Sequence, residues 1–499
     1  MNDPREVPAA AKYKDLRDWL RLAEADGELK RIDGANCDLE MAGIAEILYR
    51  EGRRPVPALL FDNVPGYAKG FRTLFGVISS PRRLARALNL SGCEERLDVV
   101  RALREKSKTF KPIPPKVVER AAFFENTLKG DAIDLYKFPV PRHHEADGGR
   151  YIGTGGSFIL KDPESGFINV GTYRAQLIDR DRIALHATEG QHGTIIREKY
   201  FHEKKVMPVV FAAGFDPALF VAACDRSVGW GQSEFDHAGG LKGEPIDIVN
   251  GPLTGLPIPA DAEFVIEGEC HPGDVVDEGP FGEWMGYYAN LGENPVPEPV
   301  IRVKAVYHRN DPILNCAHPS VPPSEMTAWT CITRSAMFWN GLEKMGITGV
   351  KGVWCHEQGG SLLFTVISIK QMHAGHAKRV GLAADAIAHL KTRYTIVVDE
   401  DIDPANLSQV IWAIATRADP ERAIQILQHC GTSSADTTVP PSEKKKWLTA
   451  PKPLYSGRAI IDACQPFEWK HEWYPVAKIS DKLQADIEKK WASLLKELR

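Results

Sequence analysis

The chain has 499 residues, with 62 basic and 66 acidic side chains and a net charge of −4. That balance excludes a whole-chain attraction to nucleic acid or to an anionic membrane, and no apolar run approaches the ~20 residues that span a bilayer. The segment MNDPREVPAA lacks the apolar stretch of a signal peptide, and nine scattered cysteines without a CxxC pair exclude the usual zinc-ribbon and disulfide frameworks, so a cytoplasmic location is expected.

The length accommodates roughly two to four domains. The 42 glycines and 35 prolines predict many turns and argue against an all-helical protein. The first element is a helix over residues 14–26, with Leu16, Trp19, Leu20 and Ala23 on one face and Gly27 closing it. Residues 28–32 alternate polar and apolar as a half-buried strand does. The proline-rich segment KSKTFKPIPPK (106–116) is a connector, which places a first, α/β region at residues 1–116.

Short strand-like runs follow at 157–160, 168–173, 206–213, 263–267 and 300–308, with a helix over 194–204. Their punctuation by Gly, Pro and Asp predicts a small barrel or sandwich with long loops at 117–308. Beyond residue 309 strand and helix alternate. The apolar run 362–369 suits a strand buried on both faces, 377–390 has helical spacing, and 395–398 is a second buried strand. Asp403 and Pro404 are positioned to start a helix through Val410, Ile411 and Ile414. This pattern predicts an α/β domain over 309–455. An extension over 456–499 ends in one amphipathic helix from Ser480, with Leu483, Ile487, Trp491, Leu494 and Leu498 on a face that packs on this chain or a partner.

No Walker A loop, GxSxG elbow, HExxH or helix-opening GxGxxG is present. Three glycine-rich segments stand out instead. In PVPRHHEADGGRYIGTGG (139–156) the adjacent His143 and His144 point apart on an extended chain and share one ion poorly; the segment reads as a turn before a strand, with Thr154 in a backbone open to close approach by a ligand. In EGPFGE (278–283) two carboxylates sit on a turn that either leaves both solvated or aims both inward, where apolar surroundings raise carboxyl pKa values. In NVGTYR (169–174) a continuous strand puts Asn169, Gly171 and Tyr173 on one face and Arg174 on the other, where Arg174 is either a site residue or a surface ion-pair partner.

Taken in order, DGGRYIGTGG, NVGTYR, GQH (190–192), Glu234 before HAGGL (237–241), and EGPFGEWMGYY (278–288) resemble the UbiD-type family of non-oxidative decarboxylases over essentially the full chain. The resemblance implies an α+β multidomain fold: an N-terminal α/β region, a central split β-barrel that binds flavin, a C-terminal α/β dimerisation domain and a C-terminal helix. It implies prenylated FMN (prFMN) supplied by a separate flavin prenyltransferase, Mn²⁺ held by Asn169, His192 and Glu234, and K⁺ bound partly by backbone near residues 223–226. Thr172, Tyr173, Arg174, Gln191, His192 and Lys391 match cofactor-contacting positions, although Cys224 and Arg226 depart from the common pattern around the potassium ion.

Arg174, Glu278 and Glu283 match the family's catalytic network. The implied reaction is reversible decarboxylation of an aromatic or heteroaromatic acid, releasing CO₂, with Arg174 and Glu278 orienting the carboxylate and Glu283 donating the proton. His318, in NCAHPS (315–320), is the candidate substrate contact. Alternatives are an aryl-CoA decarboxylase, a phenylphosphate carboxylase-like subunit, or a non-catalytic flavin-binding paralogue. A homodimer or homohexamer is expected.

Overall fold

The computed structural model describes residues 13–51, 55–93, 95–289, 295–387, 392–449 and 452–498. Its first helix, Leu16–Ala25, is capped by the Asp15 carboxylate, which accepts from Asp18 N, and it buries Leu16, Trp19, Leu20 and Ala23. Gly27, at φ +75°, then turns the chain into the strand Leu29–Asp33. That strand runs parallel to Ala58–Asp62, which pairs antiparallel with Arg72–Phe75. The fourth strand of this sheet, Ile313–Asn315, comes from far along the sequence and lies parallel to Arg72–Phe75. The expected connector is shorter than its composition indicated. Residues 106–109 complete the helix Arg96–Thr109, and only the prolines that follow break the helical pattern.

The central unit is an antiparallel half-barrel. Its strands run in the order Ile168–Gly171, Ser157–Lys161, Met207–Ala213, Phe264–Glu278, Val296–His308, Arg182–His186, Arg174–Leu177, and Asn126–Lys129 pairs with Val296–His308 off this path. The first and last strands in that order are consecutive in sequence, separated by Thr172 and Tyr173 alone. The continuous strand expected over 168–173 is therefore two strands on opposite edges of the sheet. The chain jumps the open seam of the barrel at this dipeptide, which removes the simple alternation of faces. Phe264–Glu278 is far longer than the expected 263–267, because it accommodates register shifts opposite Val296–His308 after Glu267 and after Cys270.

The third unit is a five-stranded sheet ordered Val350–Cys355, Phe364–Ile369, Tyr394–Asp399, Leu454–Ala463, Ile424–Thr432. Val397 joins the core on the side of the helices Thr327–Lys344 and His376–Ile387, whereas Ile396 and Val398 pack with Val410 and Ala413 of the helix Leu407–Arg417. Asn406, rather than Asp403, caps that last helix by accepting from Gln409 N; Asp403 instead accepts from Ala405 N in the preceding turn. The boundary expected at residue 455 falls inside Leu454–Ala463, which belongs to the sheet. The C-terminal helix is broken at Trp491 into Asp481–Lys490 and Ala492–Leu498, and Leu483, Trp491 and Leu494 are exposed. Among the described residues no helix is long and apolar enough to cross a membrane, and all nine cysteines are free.

Candidate active site

A cavity of about 1000 Å³ opens between the half-barrel seam and the C-terminal unit. Thr154, Asn169, Thr172, Tyr173, Arg174, Gln191, His192, Glu234 and Glu283 all line it. Sequence spacing had left these residues scattered over 130 positions; the seam gathers them. Lys391 lies outside the described residues. His318 does not line the cavity: it is buried, with Nδ1 3.3 Å from His143 Nδ1 and Nε2 3.4 Å from Glu46 Oε2, while its neighbour Ala317 forms the wall. The alternation of side chains along that segment turns one residue in and the next away. Ligand-type atoms of Glu46, His144 and His318 lie within 4.8 Å of one another, and His143 stays outside that group.

At one end of the cavity Arg174 holds two carboxylates. Its Nε and Nη2 donate to the two oxygens of Glu278 at 2.8 and 2.7 Å, and Nη1 donates to Glu283 at 2.5 Å. Burial opposes the charge of Arg174, but the fields of Glu278 and Glu283 outweigh it and raise the guanidinium's pKa. The ring of Phe281 lies 4.7 Å from the guanidinium carbon, a cation–π contact. Glu278 is 1% exposed and does not line the cavity, so it acts as the buried counter-ion that orients Arg174; Arg174 and Glu283 face the open space.

The loop carrying these acids is anchored by the DGGRY segment. Gln176 Oε1 accepts from Gly279 N at 2.7 Å, Gly148 N donates to Pro280 O at 2.8 Å, and Asp147 Oδ1 accepts from Gly282 N at 3.0 Å. Gly148 is required there, since a Cβ at this position would sit 1.9 Å from Gly279 O. Gly153 and Gly155 similarly let the chain pass against Ala175 and Cys316. The glycines of this segment thus serve backbone packing, Thr154 lines the cavity together with Gly153, and the Thr154 Oγ1 accepts from Ala317 N.

At the other end, Asn169 Nδ2 and Val170 N donate to the two oxygens of Glu234 at 2.9 and 2.7 Å. Tyr173 Oη donates to Asn169 Oδ1 at 2.7 Å and accepts from Gly193 N at 2.8 Å. Glu234 opens the helix Glu234–Lys242, and His192 opens His192–His202. Burial raises the Glu234 carboxyl to about 7, and among the described residues no Lys or Arg pairs with it. Burial lowers the pKa of His192, which favours the neutral imidazole a metal needs. A nearly buried carboxylate without a cation, an amide oxygen and a neutral imidazole fit a hard divalent ion such as Mn²⁺.

Sequence reasoning missed Asp147, the loop anchor, and Arg334, which lines the cavity together with Arg226, a residue the resemblance marked only as a departure near the potassium position. Arg334 carried a signal: a charge on a helix turn whose neighbours Cys331, Ser335 and Phe338 are buried.

Three domain profiles of 3-octaprenyl-4-hydroxybenzoate carboxy-lyase match the chain: the N-terminal domain at residues 20–103, the Rift-related domain at 116–322 and the C-terminal domain at 328–463. Among solved structures, the closed form of vanillic acid decarboxylase from Sedimentibacter hydroxybenzoicus is 30% identical, with a TM-score of 0.80 over 98% of this chain and 99% of that one. An evolved dimeric form of HmfF from Pelotomaculum thermopropionicum, in complex with prFMN, is 27% identical with a TM-score of 0.77, covering 94% and 98% of the two chains. The 3,4-dihydroxybenzoic acid decarboxylase of Enterobacter cloacae is 26% identical with a TM-score of 0.79, covering 97% and 100%. The seam that gathers Asn169, Arg174 and the EGPFGE loop is thus part of a full-length shared architecture, and the chain belongs to the UbiD family of carboxy-lyases.

Proposed function

We propose that this protein decarboxylates an aromatic or heteroaromatic carboxylic acid, reversibly and without oxidation, using prFMN. The observation that carries this reading is the Glu278–Arg174–Glu283 network facing one end of a cavity whose other end presents Asn169, His192 and Glu234. When bound, prFMN supplies the electron sink for the carbanion character left as CO₂ departs. Asn169, His192 and Glu234 would hold Mn²⁺ against its phosphate, and Thr172, Tyr173 and Gln191 line its path.

The chain's own residues do the rest. Arg174 Nη1 is the donor on the cavity side, so it receives the substrate carboxylate, while Glu278 fixes the guanidinium plane from behind. Glu283, released from Nη1 as the carboxylate docks, takes a proton from solvent and delivers it to the carbon that lost CO₂, so that a C–H bond replaces the broken C–C bond. Phe281, Trp284, Met285, Leu362 and Leu363 supply apolar walls around this end, which suit a planar ring and exclude water. The second cation implied by the resemblance, K⁺, does not fit the charges around residues 223–226.

The free cysteines support a reducing compartment, and the exposed Ile411, Trp412, Leu483 and Trp491 support assembly of copies through the C-terminal unit. The test is co-expression with a flavin prenyltransferase, then the absorption spectrum of the purified protein and CO₂ release across a panel of aromatic and heteroaromatic acids. A flavin-type spectrum with turnover of at least one acid is the expected result; a colourless protein inert to the panel overturns the proposal.

A further inference from the structure

Near Thr172 the cavity holds two guanidiniums that the Glu–Arg–Glu network does not use. Arg334 stands on the helix Thr327–Lys344, where its turn is otherwise packed into the core. Its Nη1 donates to Gly360 O at 2.9 Å, and among the described residues no carboxylate pairs with it. Burial first, and then the charge of Arg226, push its guanidinium down to about 9, which leaves it cationic at neutral pH. Arg226 lines the same cavity, also with no carboxylate partner among the described residues.

The acid beside Arg226 is committed elsewhere: Asp225 lies 3.3 Å from His237 Nε2 and accepts from Ser227 N at 2.8 Å. Cys224 sits close to both arginines. Burial pushes its thiol up to about 12, so it stays neutral, and Sγ donates to Thr172 Oγ1 at 3.6 Å. The two guanidiniums repel each other, Arg334 half-buried and Arg226 more exposed, and among the described residues neither has a counter-ion. Thr172 ties this recess to the strand end that carries Asn169, the phosphate end of the proposed flavin site.

We propose that Arg226 and Arg334 form the anion subsite for the phosphate of the flavin mononucleotide, so that two guanidiniums stand where a potassium ion would otherwise balance the charge. The inference rests on the flavin reading above. A phosphate dianion offers oxygens that both planar forks can bridge, and its charge matches theirs. Potassium, by contrast, needs oxygen ligands; the side chains here offer sulfur at Cys224 and a carboxylate already engaged at Asp225, and an ion held by backbone carbonyls would sit in the field of two cations.

The experiment is titration of the purified apo-protein with FMN and, separately, riboflavin, both with Mn²⁺ present, read by quenching of flavin fluorescence. Each titration is run in potassium chloride and in choline chloride at equal ionic strength. We expect the wild-type FMN affinity to agree within about twofold between the salts, and the Arg226→Met/Arg334→Met double variant to bind FMN about tenfold or more weakly with riboflavin affinity unchanged. Arg334→Lys, which keeps the charge, should recover part of the loss. Three results overturn the inference while leaving flavin binding intact: wild-type FMN affinity that collapses without potassium, a double variant with unaltered FMN affinity, or a double variant that loses riboflavin and FMN equally. Wild-type protein that binds neither flavin overturns the cofactor reading and this inference together.

Discussion

At one end of the cavity Arg174 gives three donors to Glu278 and Glu283, whereas at the other, among the described residues, Glu234 has no basic partner and Arg226 and Arg334 have no acidic one. The first group is satisfied by the chain itself; the second becomes satisfied only when ligands arrive. A self-paired network is held in one geometry before substrate binds, which is what a site that must place a proton requires. Unpaired groups of both signs, kept apart by the fold, instead store affinity for a phosphate and a cation together. The contrast separates the residues expected to set turnover from those expected to set cofactor retention.

The largest effect tests the turnover side. Glu283→Gln keeps the hydrogen-bonding shape next to Arg174 Nη1 but carries no transferable proton, so kcat should fall about 10²–10⁴-fold while bound flavin is retained. Single-turnover CO₂ release and the flavin spectrum of the same sample check this; full decarboxylation by the variant breaks the assignment. Next is Arg174→Met, which leaves Glu278 buried without its cation. The cost should be about 3–5 kcal/mol in urea unfolding, with activity lost as well. An unfolding free energy within about 1 kcal/mol of wild type would mean that Glu278 is not held as a charged partner.

The retention side is probed by Asn169→Ala. It removes the amide that bonds both Glu234 and Tyr173, so Mn²⁺ affinity should drop about 10–100-fold and flavin content should fall with it. Metal analysis and absorbance on one preparation decide the point. Loss of flavin with manganese kept in full would separate the two ligands and sink the shared-site reading.

How much of this was legible beforehand differs by region for a physical reason. Periodic elements could be read locally: the buried face of Leu16–Ala25 and the two-sided burial of Tyr394–Asp399 follow from spacing alone. The seam could not. Nothing in NVGTYR marks Thr172 and Tyr173 as a crossing between opposite sheet edges, because that depends on strands 130 residues away closing the half-barrel. Residue patterns therefore left Arg174 and the two acids with alternative readings, and it was the ordered series of motifs that singled them out. Asp147 and Arg334 escaped for a related reason: each acts through a partner distant in sequence, Gly282 in one case and the 223–226 segment in the other.

Asp147 offers the finest test of the contrast, since it shapes the paired end without carrying its charge. One of its oxygens accepts from Gly282 N at 3.0 Å and from Tyr288 Oη at 3.1 Å, and the other accepts from His144 N at 2.9 Å. It is 3% exposed, so water cannot replace these bonds. In Asp147→Asn the amide oxygen can serve Gly282 and Tyr288, but the amide nitrogen then faces the His144 N–H, two donors in contact. That conflict should cost about 1–3 kcal/mol of stability. Because the residue following Gly282 is Glu283, the loosened loop should lower kcat by about tenfold or less, with KM and flavin content nearly unchanged, a split expected when only the placement of the proton suffers. Steady-state kinetics on the flavin-loaded variant distinguish the cases: a fall in flavin content instead of kcat would show that the loop supports the cofactor, and that the two ends of the cavity are not separable.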